Sequence, residues 1–188
     1  LALANGSGSA SNYSINSLTA EITGKPVTIS GSRLYDSTTT ASSSILTITS
    51  GVSGESLSLT GSGVLGAASA GTQTITNNNT LAIADGSGGL ASNYTLSGAT
   101  INVTIIPRTL NVSLSREYDG TTSVSGVSLT PTFDSLQGGE TLSLSGTGSV
   151  SNANVGSSKA VSLGSIALAA GSGNPSNYSL NSATMNIT

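Results

Sequence analysis

Few side chains in this sequence could do chemistry. There are eight carboxylates, five Lys or Arg residues and five tyrosines, with no His and no Cys. Two carboxylates recur in matched surroundings, Glu55 in Gly54-Glu55-Ser56-Leu57 and Glu140 in Gly139-Glu140-Thr141-Leu142. Asp36 with Glu55 is the candidate pair for general acid and base work, as in glycoside hydrolysis. The competing reading is that each glutamate begins or ends a strand, and recurrence in both units favours it, because scaffold residues repeat with the scaffold. Without His or Cys, neither a Ser-His-Asp triad nor a Cys-His dyad can be assembled. A Ser-Lys dyad has only Lys25 and Lys159 to draw on; Lys25 lies at a seam between units, and the first unit has Thr74 where the second has Lys159. A Lys–Asn isopeptide fails at the same position. The expectation is a chain that is not an enzyme and needs no cofactor.

A metal site finds little support either, since carboxylates and carbonyls alone suit only a hard cation such as Ca²⁺. Asp85-Gly86-Ser87-Gly88-Gly89 resembles a Ca²⁺ loop, but its counterparts begin with Asn5 and Ala170, so the carboxylate is dispensable. The tyrosines are more informative. Tyr35 and Tyr118 each precede an Asp, whereas Tyr13, Tyr94 and Tyr178 each follow an Asn. In a chain with one Phe and no Trp, such rings are expected to anchor the core while their hydroxyls find partners near the surface. Stacking on a ligand is the alternative. Arg33 and Arg116 stand three residues before Asp36 and Asp119, spacing that suits a local ion pair or an Asp-capped turn. Exposed pairs of this kind add little stability, so they read as turn geometry.

These residues must be positioned by repeated elements. Arg116-Glu117-Tyr118-Asp119-Gly120-Thr121-Thr122 has an altered copy in Arg33-Leu34-Tyr35-Asp36-Ser37-Thr38-Thr39, and Tyr118 follows Tyr35 by 83 residues. That interval exceeds a solenoid coil of roughly 20 to 45 residues and suits a small domain. Two full units are expected, 24–105 and 106–188. Residues 1–23 read as the C-terminal strands of a preceding repeat. Leu1-Ala2-Leu3-Ala4-Asn5-Gly6-Ser7-Gly8 matches Leu81-Ala82-Ile83-Ala84-Asp85-Gly86-Ser87-Gly88, and Asn12-Tyr13 matches Asn93-Tyr94 and Asn177-Tyr178.

Within each unit, apolar and polar residues alternate with period two, as in Leu110-Asn111-Val112-Ser113-Leu114, and nothing of length has a helical period. Each unit is expected to carry five to seven strands. At the seam only Pro107-Arg108 separates the closing strand from the next opening one, with Gly24-Lys25-Pro26 as the upstream equivalent. So short a linker with a proline leaves little freedom.

Composition narrows the function classes. Charged residues make up 7% of the chain and the net charge is −3, with 24 Gly and 36% hydrophobic residues. Five scattered bases cannot supply the phosphate contacts of a nucleic-acid binder. No stretch approaches the roughly 18 apolar residues of a membrane span, and no signal peptide opens the chain, which starts inside a repeat and reads as a fragment. Asn-X-Ser/Thr sequons recur, with Asn78, Asn102 and Asn111 as possible glycosylation sites, each weak in so Asn-, Ser- and Thr-rich a chain.

The second unit resembles the YDG-type repeat of large bacterial surface adhesins of the filamentous-haemagglutinin kind. The likeness runs through Tyr118-Asp119-Gly120-Thr121-Thr122, Gly139-Glu140, Asn154-Val155-Gly156 and Lys159 to Ser176-Asn177-Tyr178-Ser179-Leu180, with Pro107-Arg108-Thr109-Leu110 as the inter-repeat seam. The first unit departs at Ser37, at Ala70-Gly71 and at Thr74. The resemblance implies secreted, mostly β stalk modules exported by two-partner secretion to the bacterial surface or extracellular matrix, with no catalytic residue and no cofactor.

The expected fold is therefore all-β, with small β-sandwich or β-grasp-like domains stacked end to end. The expected function is the stalk of a surface adhesin or a matrix fibre, whose partners are neighbouring repeats of the same protein. A polysaccharide-binding module is the alternative. A self-assembling fibre, in which 1–23 docks on a neighbouring molecule by strand addition, is a further one.

Overall fold

A computed structural model describes residues 2–126 and 128–188. It is all-β, and its two repeats match strand for strand. In the first repeat the strands are β1 (Lys25–Leu34), β2 (Thr40–Ser42), β3 (Leu46–Thr49), β4 (Leu57–Thr60), β5 (Ser62–Leu65), β6 (Gly71–Asn77), β7 (Ala82–Asp85) and β8 (Tyr94–Ile106). In the second they are β9 (Arg108–Arg116), β10 (Ser123–Ser125), β11 (Thr132–Phe133), β12 (Leu142–Ser145), β13 (Thr147–Val150), β14 (Gly156–Ser162), β15 (Ala167–Ala170) and β16 (Tyr178–Ile187). Eight strands per repeat among the described residues exceed the expected five to seven. The surplus comes from the two- and three-residue pieces β2, β10 and β11, too short to carry a period-two signal.

Each repeat is a six-stranded sheet with a separate two-stranded ribbon. The sheet orders are β2-β5-β6-β8-β1-β3 and β10-β13-β14-β16-β9-β11, and the ribbons are β4-β7 and β12-β15. The first and last strands of each repeat lie side by side and parallel in mid-sheet, β1 with β8 and β9 with β16. This central parallel pair is the grasp-like feature of the topology, and every other pairing between the strands is antiparallel.

Alternation decides which side chains turn inward. On β9, Leu110, Val112 and Leu114 are buried while Asn111, Ser113 and Ser115 face out. Ala183, Met185 and Ile187 do the same on β16, and Val27 with Ile29 on β1. The buried residues fall into three clusters, one inside each repeat and a third that straddles the boundary.

Residues 2–23 depart from the expectation that they are strands. Their one element is a 3₁₀ turn at Ala10–Asn12, the local equivalent of those at Ala91–Asn93 and Pro175–Asn177. The turn needs only nearby atoms: the Asn5 Oδ1 accepts from the Ala10 N–H at 2.7 Å, as Asp85 Oδ1 accepts from Ala91 at 2.7 Å. The strand that follows such a turn, β8 or β16, is held by pairing with others of its own repeat, and among the described residues no strand pairs with residues 14–23.

Candidate functional site

The topology dictates where the two repeats meet. Because β1 and β8 run parallel in register, their ends come together at Leu34 and Ile106. The starts of β9 and β16 come together in the same way, with Arg108 opposite Tyr178. Only Pro107 lies between β8 and β9. The residue just past β1, Tyr35, is thereby delivered to the residue that opens β16, Tyr178. Their rings meet edge to face, with centroids 5.3 Å apart and planes at 77°, a geometry worth about 0.5–1.5 kcal/mol beyond the area buried.

Glu140 stands between the two hydroxyls. Tyr35 donates to its Oε1 at 2.6 Å and Tyr178 to its Oε2 at 2.6 Å. The Tyr178 oxygen also accepts from the backbone N–H of Gln137 at 3.0 Å. Two further bonds cross the boundary: Arg108 Nε donates to the Tyr35 carbonyl at 2.9 Å, and the Ala70 N–H donates to Asn177 Oδ1 at 2.9 Å. Ala41, Leu65, Val103 and Ile105 from the first repeat pack around this network with Leu110 and Leu142 from the second.

The site is dry enough to shift acidities. Tyr35 is 3% exposed and Asn177 4%. Burial first, and then the hydrogen bond to Glu140, push the Tyr35 hydroxyl up to about 12. Tyr178 is raised by the same two causes in the same order. Each bond to the carboxylate is charge-assisted, a class worth more than neutral hydrogen bonds.

The turn carrying Tyr35 is fixed from behind. Asp36 Oδ1 accepts from the Thr38 N–H at 2.9 Å and from its hydroxyl at 2.8 Å, while Arg33 pairs with Asp36 and donates to the Thr38 carbonyl. In the second repeat Asp119 Oδ1 accepts from Thr121 N–H and Oγ1 at 2.9 and 3.0 Å, and Arg116 Nη1 lies 2.9 Å from Asp119 Oδ2. The Arg–Asp spacing therefore builds an Asp-capped turn, as the sequence suggested. Burial pushes the Asp36 carboxyl up, but Thr38 and Arg33 outweigh it and hold it below the usual value. The Thr121 N–H leads the causes that hold Asp119 low. Gly120 sits at φ 74°, and Ser37 takes the same left-handed conformation at 63°.

The upstream end of the first repeat carries the matching set. Tyr94, buried, donates to Glu55, and that bond first and burial second raise its hydroxyl. Asn93 is exposed, unlike Asn177. At the opposite end of the second repeat Tyr118 is 57% exposed, and Tyr13 is also exposed. The expectation that all five rings anchor the core is thus corrected for these two. The reason lies in what packs on each ring among the described residues: Tyr35 is covered by the second repeat and Tyr118 by none, while Tyr13 opens no strand, unlike its equivalents Tyr94 and Tyr178 at the starts of β8 and β16.

A family model for the YDG domain matches twice, over residues 19–103 and 102–185. The chain belongs to the YDG domain family. No curated protein and no solved structure matches it.

The YDG turn is thus the structural element that joins one YDG domain to the next. Sequence reasoning placed the turn but missed the part played by Glu140, reading it as a strand boundary. The signal that could have found it is the joint recurrence of Glu and the Asn-Tyr pair in both YDG domains. The structure does not bring the proposed acid–base pair together, since Asp36 is held in its own turn and Glu55 by Tyr94. Lys159 donates to Asn152 Oδ1 at 2.6 Å as an ordinary hydrogen bond. Of the sequons, Asn78, Asn102 and Asn111 are all exposed, and the Asn111 side-chain amide is in addition engaged by Asp134, Asn181 and Ser182.

Proposed function

We propose that this chain is part of the stalk of a secreted bacterial surface adhesin or extracellular matrix fibre, in which YDG domains are spacers of fixed relative orientation. The observation that carries the reading is the Tyr35–Glu140–Tyr178 junction. A one-residue linker and a buried, charge-assisted contact resist bending between modules, as a spacer that projects an adhesive end requires. The likeness of Tyr118-Asp119-Gly120-Thr121-Thr122 and Ser176-Asn177-Tyr178 to repeats of filamentous-haemagglutinin-like adhesins supports a cell-surface setting and two-partner secretion.

Arrays of two, four and six of these domains displayed on a bacterial surface test it. Atomic-force height should rise by a constant increment per domain, and Glu140→Ala in every domain should shorten the rise. Heights independent of domain number reject the stalk.

A second reading, a polysaccharide-binding module, draws on the exposed Tyr118 ring, since stacking on sugar needs an open aromatic face. A glycan array compared between the native chain and Tyr118→Ala separates the two readings.

A further inference from the structure

Side chains that give up electrons easily are scarce in this chain. It has no Cys and no Trp, and its one methionine, Met185, is buried in the core of the second domain. Cysteine thiolates and methionine are the usual sinks for oxidation; with the first missing and the second buried, tyrosine is left. Among the described residues Tyr35 and Tyr178 are the one pair of aromatic rings in contact, and they belong to different YDG domains. Tyr13 and Tyr118 are exposed and Tyr94 is held by Glu55, each without a second ring against it.

The contact is arranged for the coupling of two phenols. A tyrosine that loses an electron gives up its hydroxyl proton with it, and the base that receives the proton decides how readily this happens. Glu140 accepts from both hydroxyls, at 2.6 Å each, and is itself half-exposed, so each proton has a short way out to water. Both hydroxyls are raised above the ordinary tyrosine value, Tyr35 to about 12, so prior ionisation is closed at neutral pH and the carboxylate is the acceptor. The phenoxyl radicals that result carry their spin on oxygen and on the ring carbons ortho and para to it. Cβ occupies the para carbon, which leaves the ortho carbons, beside the hydroxyls that Glu140 draws together. Ring planes crossed at 77° suit the product, because a bond between two ortho carbons sets two hydroxyls beside it and twists the rings out of one plane.

We propose that Tyr35 and Tyr178 form a modification site, at which a diffusing one-electron oxidant joins the two YDG domains through a dityrosine bond. Two equivalents of oxidant each remove one electron, and the two hydroxyl protons pass to Glu140 and on to water. The radicals pair to form one carbon–carbon bond between ortho positions, and the hydrogen on each of those carbons moves to the oxygen of its own ring, which restores two phenols. The net change is the loss of two electrons and two protons, which one hydrogen peroxide takes up through a peroxidase as it becomes two waters. An electron leaves a buried ring without the oxidant touching it, so exposures of 3% for Tyr35 and 5% for Tyr178 do not prevent the reaction. The same burial keeps other molecules away from the radicals. The bond ties residues 143 apart in sequence and restrains the unfolded chain as a disulfide does. It needs only the junction, whatever the array is used for.

The test is photo-oxidation of the full chain with tris(bipyridine)ruthenium and persulfate at micromolar protein, followed by trypsin and mass spectrometry. Links through the exposed Tyr13 or Tyr118 give dimers, which are removed by size before digestion. Cleavage after Arg33, Arg108, Arg116 and Lys159 leaves Tyr35 in 34–108 and Tyr178 in 160–188. The monomer should lose the mass of two hydrogen atoms, fluoresce as dityrosine does and yield those two fragments joined, with the bond located at Tyr35 and not at Tyr94. Tyr35→Phe should abolish the joined product. The native chain unfolded in urea is the control that needs no variant, and there the preference for this pair should vanish. Glu140→Gln, with a native circular dichroism spectrum, should link about 100-fold more slowly, as loss of a positioned base does. Its rate should also climb with pH, while the native rate stays level around neutrality. Tyrosine consumed in the folded chain with no joined fragments in the monomer overturns the proposal, as does equal linking in folded and urea-unfolded chains. A Glu140→Gln chain that links at the native rate, with the native pH profile, overturns the part given to Glu140.

Discussion

Tyr35 and Glu140, 105 residues apart in the sequence and in different YDG domains, share a hydrogen bond of 2.6 Å. The bond is part-buried and sits against a mixed cluster of apolar residues from both domains, with the Tyr35 ring inside it and Glu140 half-exposed at its edge. A double-mutant cycle measures it. Tyr35→Phe and Glu140→Gln should each destabilise the chain, with a coupling of about 2 kcal/mol, as expected for a hydrogen bond to a charged group. Tyr118→Phe, at the exposed equivalent, should stay within about 0.5 kcal/mol of the native chain in denaturant unfolding. A coupling near zero would mean that the junction does not form in solution.

The same contact predicts a loss of stability in alkali. Tyr35 is raised from 10.0 to about 12 in the folded chain, so between these values the folded state holds a proton that the unfolded state has released. Its contribution is complete below pH 10 and is lost as pH rises through about 12. Tyr178 and Tyr94, raised in the same direction, add to the same slope. Ultraviolet titration should show slow, late ionisation of these tyrosines, with unfolding midpoints falling in step. Glu140→Gln should move the late phase to lower pH; an unchanged profile would separate the shift from the junction.

Ser37 tests the turn itself. A non-glycine residue at φ 63° costs roughly 1 kcal/mol, and Gly120 at the same place in the second domain avoids it. Ser37→Gly should therefore raise the melting temperature of its domain by a few degrees. Gly120→Ala should lower that of the other. Opposite signs in scanning calorimetry are the expected result, and equal signs would mean that side-chain contacts outweigh the backbone conformation.

The fold was legible where a signal was local and repeated. Alternation in Leu110-Asn111-Val112-Ser113-Leu114 fixed a strand, and the Arg–Asp spacing fixed a turn, because the partners lie within a few residues. The tandem arrangement was legible from the recurrence of Tyr35 and Tyr118. What sequence could not show is what packs on each tyrosine: both occupy the same repeat position, yet Tyr35 is buried against Glu140 and Tyr178 of the second domain while Tyr118 is exposed. The tail failed for a related reason. Residues 10–12 keep their turn, whose bonds are local, while the strand expected after them depends on partners far away in sequence.

Two glycines at matching positions carry the connection from the ribbon back to the sheet. Gly61 and Gly146 follow β4 and β12 with φ of 75° and 78°. A Cβ on either would lie 2.0 Å from a backbone carbonyl oxygen, that of Thr80 or of Ser165. Backbone cannot yield as a flexible side chain can, so both the conformation and the approach exclude any other residue. Gly146→Ala should destabilise the second domain by more than about 3 kcal/mol, in the range reserved for backbone clashes and strain. Because Leu142 and Tyr178 then lose their support at the junction, Tyr35 should become accessible too, although it lies in the other domain. Chemical nitration followed by mass spectrometry would report Tyr35 modified in Gly146→Ala and protected in the native chain. Continued protection of Tyr35 in a variant whose second domain has unfolded would show that the first domain buries the ring unaided.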